Sequence, residues 1–352
     1  LIVFIIVNCL LSTVIAQDIH YSQFYNAPLL LNPALTGFTT GAGRVSISYR
    51  NQWFGATGSS FFKSPYMTTA LSGDAPIKIK NDALGIGLFI ANDQAGANTF
   101  STFITQASIS YIKTLGKKRN HRLSAGFQIG YTYQTINTGN FQWASQFSQE
   151  TNQFSPSTTS YNPENLGSNK VGYLNMNFGL FWYSRLTDKV SMYTGGSFYN
   201  VTTPSYDILP DQKRDLYWRW NAHAALDITL GEKFHILPSG QFMRQGSDDQ
   251  LNTGIGFGID FKQRRSRADD PMAFTLGMYN RISNIPRGVT ADAIIPYIGF
   301  DIKRFRLGIS YDATISSLKS ASPGMGAFEL SVAYTIKQKG YSSRNDFIAP
   351  RF

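Results

Sequence analysis

From Arg44 to Ile336 the chain alternates apolar residues with polar or very small ones at a period of two. Leu123, Ala125, Phe127, Ile129, Tyr131 and Tyr133 interleave with Ser124, Gly126, Gln128, Gly130 and Thr132. The same alternation runs through Phe305–Asp312 and Phe328–Ile336, and in 254–261 the second set is glycine apart from Asp260. Successive side chains of a strand point to opposite faces, so each segment has one greasy face and one polar or tiny face. No helical 3.6-residue period of comparable length occurs, and the expected fold class is all-β.

About fourteen strands are expected, near 44–54, 64–74, 83–91, 100–113, 122–134, 171–184, 190–200, 216–230, 233–244, 251–261, 271–281, 290–301, 305–314 and 326–337. Most run nine to fourteen residues. A globular strand averages about five or six, whereas a tilted strand needs about nine to eleven to cross a bilayer. Tyr49, Trp53, Tyr111, Tyr131, Tyr133, Trp182, Tyr183, Trp218, Trp220, Tyr297, Tyr311 and Tyr334 gather near strand ends, where interfacial girdles belong. Composition agrees: 14% of the residues are aromatic and 15% charged, against about 25% charged in soluble domains. A soluble sandwich shares the period but not so many long, even strands. The expectation is a transmembrane antiparallel β-barrel of about fourteen strands over residues 43–338. After residue 16 no apolar run reaches the ~18 residues of a membrane helix.

Leu1 to Ala16 is apolar and uncharged and ends Val14-Ile15-Ala16 before Gln17. It reads as a secretory signal peptide, incomplete at its start, cleaved before Gln17. Its Cys9, the single cysteine of the chain, stands mid-run without a small-residue approach, which argues against a lipid anchor. One cysteine also excludes a disulfide framework and a cysteine-rich zinc site. The mature chain divides into an N-terminal plug or periplasmic segment (17–42), the barrel, and a tail (339–352).

Connections alternate in length. Short ones fall near 76–82, 115–121, 185–189, 231–233, 262–270 and 302–304, and the other set includes the amide- and hydroxyl-rich 135–170 and 201–215. Short turns belong on the periplasmic side of an outer-membrane barrel. Charge follows the same division. Windows at these turns (76–82, 113–122, 185–189, 231–233, 260–270 and 301–306) hold seventeen basic and seven acidic residues, an excess equal to the formal +10 of the whole chain. Lys117, Lys118, Arg119, Lys262, Arg264, Arg265, Arg267, Lys303 and Arg304 are therefore candidates for docking an acidic periplasmic partner or anionic lipid. Solvated turns are the plainer account of the same residues. Nothing in the pattern resembles a nucleic-acid recognition module, and no nucleic acid is expected as a partner.

Chemistry has few candidates. His20, His121, His223 and His235 lack metal-ligand spacing, and neither a GxSxG elbow nor a P-loop occurs. No metal, cofactor or catalytic activity is expected. The repeated Gly-x-Gly pairs fall inside strands, where an inward glycine leaves room for curvature or a plug. Arg219, His223 and Asp227 point inward together, but residues four apart on a strand lie roughly 13 Å apart, so they form a polar lumen set and not a triad.

The stretch His20-Tyr-Ser-Gln-Phe-Tyr-Asn-Ala-Pro-Leu-Leu-Leu-Asn-Pro-Ala-Leu-Thr-Gly37 lacks the two-residue period. Asn32 before Pro33 reads as a turn or a helix cap, with Gly37 as a stop. With Tyr49-Arg-Asn-Gln-Trp53, Ser72-Gly-Asp-Ala-Pro76, Leu84-Gly-Ile-Gly-Leu88, Asn92-Asp-Gln-Ala-Gly96, Gly196-Ser-Phe-Tyr-Asn200, Leu307-Gly-Ile-Ser-Tyr-Asp312 and Phe328-Glu-Leu-Ser-Val-Ala-Tyr334, it makes the chain resemble the PorP/SprF family of type IX secretion system membrane proteins. The N-terminal residues carrying the likeness are His20, Tyr21, Ser22, Gln23, Tyr25, Asn26, Pro28, Asn32, Pro33 and Gly37. The tail Ala349-Pro-Arg-Phe352 is similar to the family's Cys-Pro-Arg/Lys-Phe ending, with Ala in place of Cys.

The resemblance implies an outer-membrane barrel that supports export or surface attachment of cargo, including gliding adhesins. Implied partners are periplasmic secretion components, the C-terminal domain of secreted cargo, and outer-membrane lipid. The chief alternative is a FadL-like transporter of hydrophobic small molecules, whose Asn-Pro-Ala plug element Asn32-Pro33-Ala34 echoes. An outer-membrane enzyme is the third reading and would need a Ser/His pair on facing strands.

Overall fold

The computed structural model describes residues 18–53, 66–96, 100–137, 147–148, 153–154, 170–206, 214–261, 272–285, 288–316 and 326–337. Five strands come first: β1 (Gly43–Gln52), β2 (Tyr66–Ile79), β3 (Asp82–Ala95), β4 (Phe100–Leu115) and β5 (His121–Ile136). The two short strands β6 (Phe147–Ser148) and β7 (Gln153–Phe154) pair only with each other, ahead of β8 (Lys170–Arg185) and β9 (Val190–Tyr199). A second short pair follows, β10 (Ser205–Tyr206) with β11 (Arg214–Asp215). The chain then runs through β12 (Arg219–Leu230), β13 (Phe234–Gln245), β14 (Asp248–Asp260), β15 (Met272–Ile285), β16 (Gly288–Ile302), β17 (Phe305–Thr314) and β18 (Ala327–Ile336).

The fourteen long strands form one closed antiparallel barrel in which neighbours in sequence are neighbours in the wall. It closes between β1 and β18, in register from Gly43↔Ile336 to Gln52↔Ala327. Closure leaves no unpaired edge, the condition for a sheet to stand in hydrocarbon.

The alternation sorts cleanly between the two faces. In β4, Thr102, Gln106, Ser108 and Ser110 are buried toward the lumen, while Phe103, Ile109 and Tyr111 face outward. Ile47, Leu71, Ile86, Leu88, Leu180 and Phe257 continue the outward apolar belt around the wall. Apolar outside and polar inside inverts a soluble protein and fits a barrel in lipid.

Some strands differ from expectation. β2 continues through Pro76 to Ile79, so the turn is only Lys80–Asn81. β14 begins at Asp248, which reduces the connection expected at 245–250 to the two-residue turn Gly246–Ser247. Tyr183 and Tyr297, expected in the interfacial girdle, are buried in the lumen, because they fall on the inward register of β8 and β16. Pro238 and Pro296 lie inside β13 and β16. Beside them the ladders to β12 and β17 skip, between Ala225↔Ser239 and Ile228↔Ile236 and between Ile294↔Ala313 and Tyr297↔Ser310. Proline has no N–H to donate to a neighbouring strand.

The β2–β3, β4–β5, β8–β9, β12–β13, β14–β15 and β16–β17 connections lie at one rim, the short-turn rim, with the start of β1 and the end of β18; the other rim carries the longest connections, β1–β2, β5–β8, β9–β12 and β17–β18, together with the two-residue turn Gly246–Ser247. Residues 1–16, 262–271 and 338–352 and most of 135–170 lie outside the described residues.

Candidate functional site

Residues 18–42 run through the lumen from the long-connection rim to the short-turn rim. The stretch lacks the two-residue period and is interrupted by Pro28 and Pro33, so it forms no strand. It makes three successive turns, a 3₁₀ turn Phe24–Asn26, one α-helical turn Pro28–Leu31 and a 3₁₀ turn Pro33–Leu35. Prolines at the first position of the second and third turns fit there because those N–H groups would have no partner.

Asp18 sits at the upper rim, where its N–H donates to Gln245 Oε1 (2.9 Å) and Asn200 Nδ2 donates to its carboxylate (2.7 Å). Arg219 donates to Ile19 O at 3.3 Å and stacks on the Tyr199 ring, 4.2 Å from its centroid. Burial and the nearby guanidiniums of Arg50 and Arg281 push His20 down to about 3, so it is neutral at pH 7. Burial raises the phenols of Tyr21 and Tyr25.

Below, Ser22 and Gln23 meet a buried cluster of ions. Their successive N–H groups donate to the two oxygens of Glu329 (2.8 and 2.9 Å), and Ser22 Oγ donates to Asp312 (2.8 Å). Arg50 bonds both carboxylates, and Arg281 bonds Asp312 at 2.7 Å. Gln23 Nε2 donates to Ser310 (3.0 Å), and Asn26 Nδ2 donates to Ser331 (3.0 Å).

Asn32 is the pivot of the lower half. Its Oδ1 accepts from Ala34 N (2.9 Å), the cap anticipated for Pro33, while Nδ2 lies 3.0 Å from Leu180 O, 3.2 Å from Gly196 O and 3.2 Å from His223 Nε2. Wall hydroxyls donate to the carbonyls of the segment: Tyr199 to Leu30 (2.7 Å), Ser197 to Leu31 (3.0 Å), Ser124 to Ala34 (2.7 Å) and Ser110 to Thr36 (2.6 Å). Gly37, at φ +70°, turns the chain and donates to Asp74, which Arg44 grips through two bonds of 3.0 and 2.9 Å. Phe38 then packs edge-on against Phe181, with ring centroids 4.8 Å apart. Pro28, Asn32, Pro33 and Gly37 are therefore packing and turning positions, and Tyr21, Ser22, Gln23, Tyr25 and Asn26 face the wall.

Arg219, His223 and Asp227 are all buried in the lumen, but they serve three different neighbourhoods. His223 is held between Phe181 and Tyr25, with ring centroids 5.8 Å away in each case. Asp227 pairs with His235 Nδ1 at 2.8 Å, and Asp260 lies 3.5 Å from the other ring nitrogen. Arg50, Asp312 and Glu329 stand within the motifs that carry the family resemblance, but neither they nor His235 and Arg281 were expected as site residues. A charge on the polar register of a strand was the further signal. Among the described residues no group of His, Cys, Asp and Glu is arranged to hold a metal ion.

At the short-turn rim, Lys117, Lys118 and Arg119 stand exposed in the β4–β5 turn, Lys303 is exposed and Arg304 half-buried between β16 and β17. Lys80, Lys189 and Lys233 share this rim and are exposed. Lys262, Arg264, Arg265 and Arg267 lie outside the described residues.

Comparison with solved structures finds other barrels. A deletion mutant of the TodX monoaromatic hydrocarbon channel is 13% identical, covering 89% of this chain and 94% of that one at a TM-score of 0.49. The CymD monoaromatic hydrocarbon channel is 11% identical (89% and 93%, TM-score 0.48). BamA from Haemophilus ducreyi lacking POTRA domains 1-3 is 11% identical (84% and 70%, TM-score 0.41). No curated protein matches the chain. The model of the type IX secretion system membrane protein family PorP/SprF matches residues 13–334. A closed fourteen-strand barrel with an apolar belt, matched over nearly its whole length by this family, resides in the outer membrane, and the chain belongs to the PorP/SprF family of type IX secretion system membrane proteins.

Proposed function

We propose that this protein is a non-enzymatic, plugged component of the secretion system that works through its basic rim and not through its lumen. Residues 17–42 serve as the plug and 43–338 as the barrel; 1–16 is a signal peptide removed on export, and 339–352 is a tail. By the outer-membrane rule for turn length, the short-turn rim faces the periplasm. The observation that carries the reading is the gathering there of exposed Lys80, Lys117, Lys118, Arg119, Lys189, Lys233 and Lys303. Of the acids at the same end, Asp82 pairs with Lys113 at 2.9 Å and Asp301 with Arg306 at 2.7 Å, while Asp188 and Glu232 are exposed and fewer than the seven exposed bases. The exposed field is therefore positive and suited to an acidic surface on a periplasmic secretion component or on the C-terminal domain of a cargo such as a gliding adhesin.

Replacing Lys117, Lys118, Arg119, Arg264 and Arg265 by Glu tests this. Export is expected to fall about tenfold, the scale of a lost electrostatic interface, with the barrel still assembled in the outer membrane. Normal export by that variant contradicts docking through the rim.

A FadL-like channel for hydrophobic small molecules is the competing reading, favoured by Asn32-Pro33-Ala34 at the centre of a fourteen-strand barrel. The cavity beside Tyr25, Tyr279 and Tyr297 measures only about 20 Å³, room for about one water. That cavity does not hold a hydrocarbon-sized molecule while the plug is in place.

A further inference from the structure

The barrel closes where its first strand meets its last, and on the lumen side of that seam the N-terminal segment meets a cluster of buried ions. Arg50 of β1 and Glu329 of β18 are direct cross-strand partners. Arg50 also reaches Asp312 on β17. Buried carboxylates need full sets of donors, because an incompletely paired buried ion is strongly unfavourable. Among the described residues the strand donor to the Glu329 carboxylate is Arg50, which reaches one of its two oxygens. Ser22 and Gln23 donate to both, through consecutive backbone N–H groups, and Ser22 Oγ adds a donor to Asp312. The segment is also joined to β1 by the chain itself, and Ala42 N donates to Ile336 O at the far end of the same seam. It therefore binds the last two strands while tethered to the first. Arg50 and Glu329 are 279 residues apart, and bringing such distant partners together carries a large loop-closure entropy.

We infer that residues 18–42 close the barrel: stable pairing of β18 with β1 depends on Ser22 and Gln23 occupying Glu329 and Asp312. This goes beyond the docking role of the rim and is independent of it. It assigns the segment a part in assembly, as the element that captures the last strands of the wall.

The test uses the full chain in a Cys9→Ser background. Ile47→Cys with Val332→Cys places two thiols opposite one another across the outward face of the seam, and their oxidative cross-linking in membranes reports closure. Gln23 has φ −82°, which proline adopts, so Gln23→Pro removes the N–H donated to Glu329 without straining its own φ. Cross-linking is expected to fall about tenfold, the effect of one hydrogen bond to a buried charge. Gln23→Ala, which keeps the N–H, is expected to reduce it less. Ser124→Ala trims a plug contact far from the seam and is expected to leave it unchanged.

Gly179→Leu supplies a second route, displacing the segment at Asn32 without touching the seam. Maleimide labelling of Asn26→Cys reports whether the segment has left the lumen. Reduced cross-linking in Gln23→Pro, or in Gly179→Leu with residue 26 labelled, supports the inference. Full cross-linking in Gln23→Pro, or in a Gly179→Leu chain whose residue 26 is labelled, overturns it.

Discussion

Two stretches of the barrel wall are rich in inward glycine, and the glycines do different work. On β3, β5, β8 and β9 they make room for the segment. A Cβ on Gly126 would stand 2.3 Å from the carbonyl carbon of Pro33, one on Gly179 would stand 1.9 Å from Asn32 Oδ1, and one on Gly85 would stand 2.1 Å from Thr36 O. On β14 the neighbours belong to the wall itself. A Cβ on Gly254 would meet Met278 O and Tyr279, and one on Gly256 would find only Leu237 and Thr275 side chains at 3.4 Å or more. The side of the lumen near β13–β16 is filled by Leu237, Tyr279, Ile295 and Tyr297, whereas the side near β3–β9 is left small so that a second element can fill it. One run of alternating glycine thus encodes curvature and packing, the other a docking groove for the protein's own N-terminus.

Substitution at these glycines sharpens the contrast most. Gly126→Ala is expected to destabilise the plugged state by about 3 kcal/mol, at the upper end of overpacking costs, because the obstacle is backbone and cannot rotate away. Gly256→Ala, facing ordinary contacts, is expected to cost less than about 1 kcal/mol. Urea titration of heat-modifiable mobility, with labelling of Asn26→Cys, measures both. Equal costs at the two sites would erase the distinction between the walls.

A smaller effect is expected from Asn32→Ala. It removes the cap on Ala34 and the contacts to Leu180 O, Gly196 O and His223, and is expected to weaken plug retention by about 2 kcal/mol in the same assay.

A further effect is that of pH. His20 is depressed in the folded protein to about 3, so the unfolded chain binds the additional proton below its ordinary value of 6.5. Its contribution disfavours the docked segment progressively as pH falls from 6.5 towards 3, and it is absent above pH 7. Labelling of residue 26 is expected to rise between pH 7.5 and 5, and His20→Gln to flatten that rise. A rise that persists undiminished in His20→Gln assigns the effect to another group.

Much of the architecture was legible because it depends on local periodicity. Inward and outward faces, strand number and the cap at Asn32 all follow from residues close in sequence. The ion cluster was not legible: Arg50 lies 262 residues from Asp312, and only strand register brings them together. Arg219, His223 and Asp227 share the lumen face as their spacing implies, but the partner of Asp227 was not legible for a related reason: His235 lies across the hairpin, 2.8 Å away. Tyr183 and Tyr297 were misplaced because being near a strand end does not decide which face a side chain takes.

Affinity purification of the tagged protein from outer membranes, beside its rim-reversed variant, decides between docking through the rim and passage through the lumen. Mass spectrometry is expected to find periplasmic secretion components or a cargo C-terminal domain with the native protein, and to lose both when Lys117, Lys118, Arg119, Arg264 and Arg265 become Glu. Recovery of the barrel alone with a bound apolar small molecule, unchanged by the rim substitutions, would contradict docking and establish the channel reading in its place.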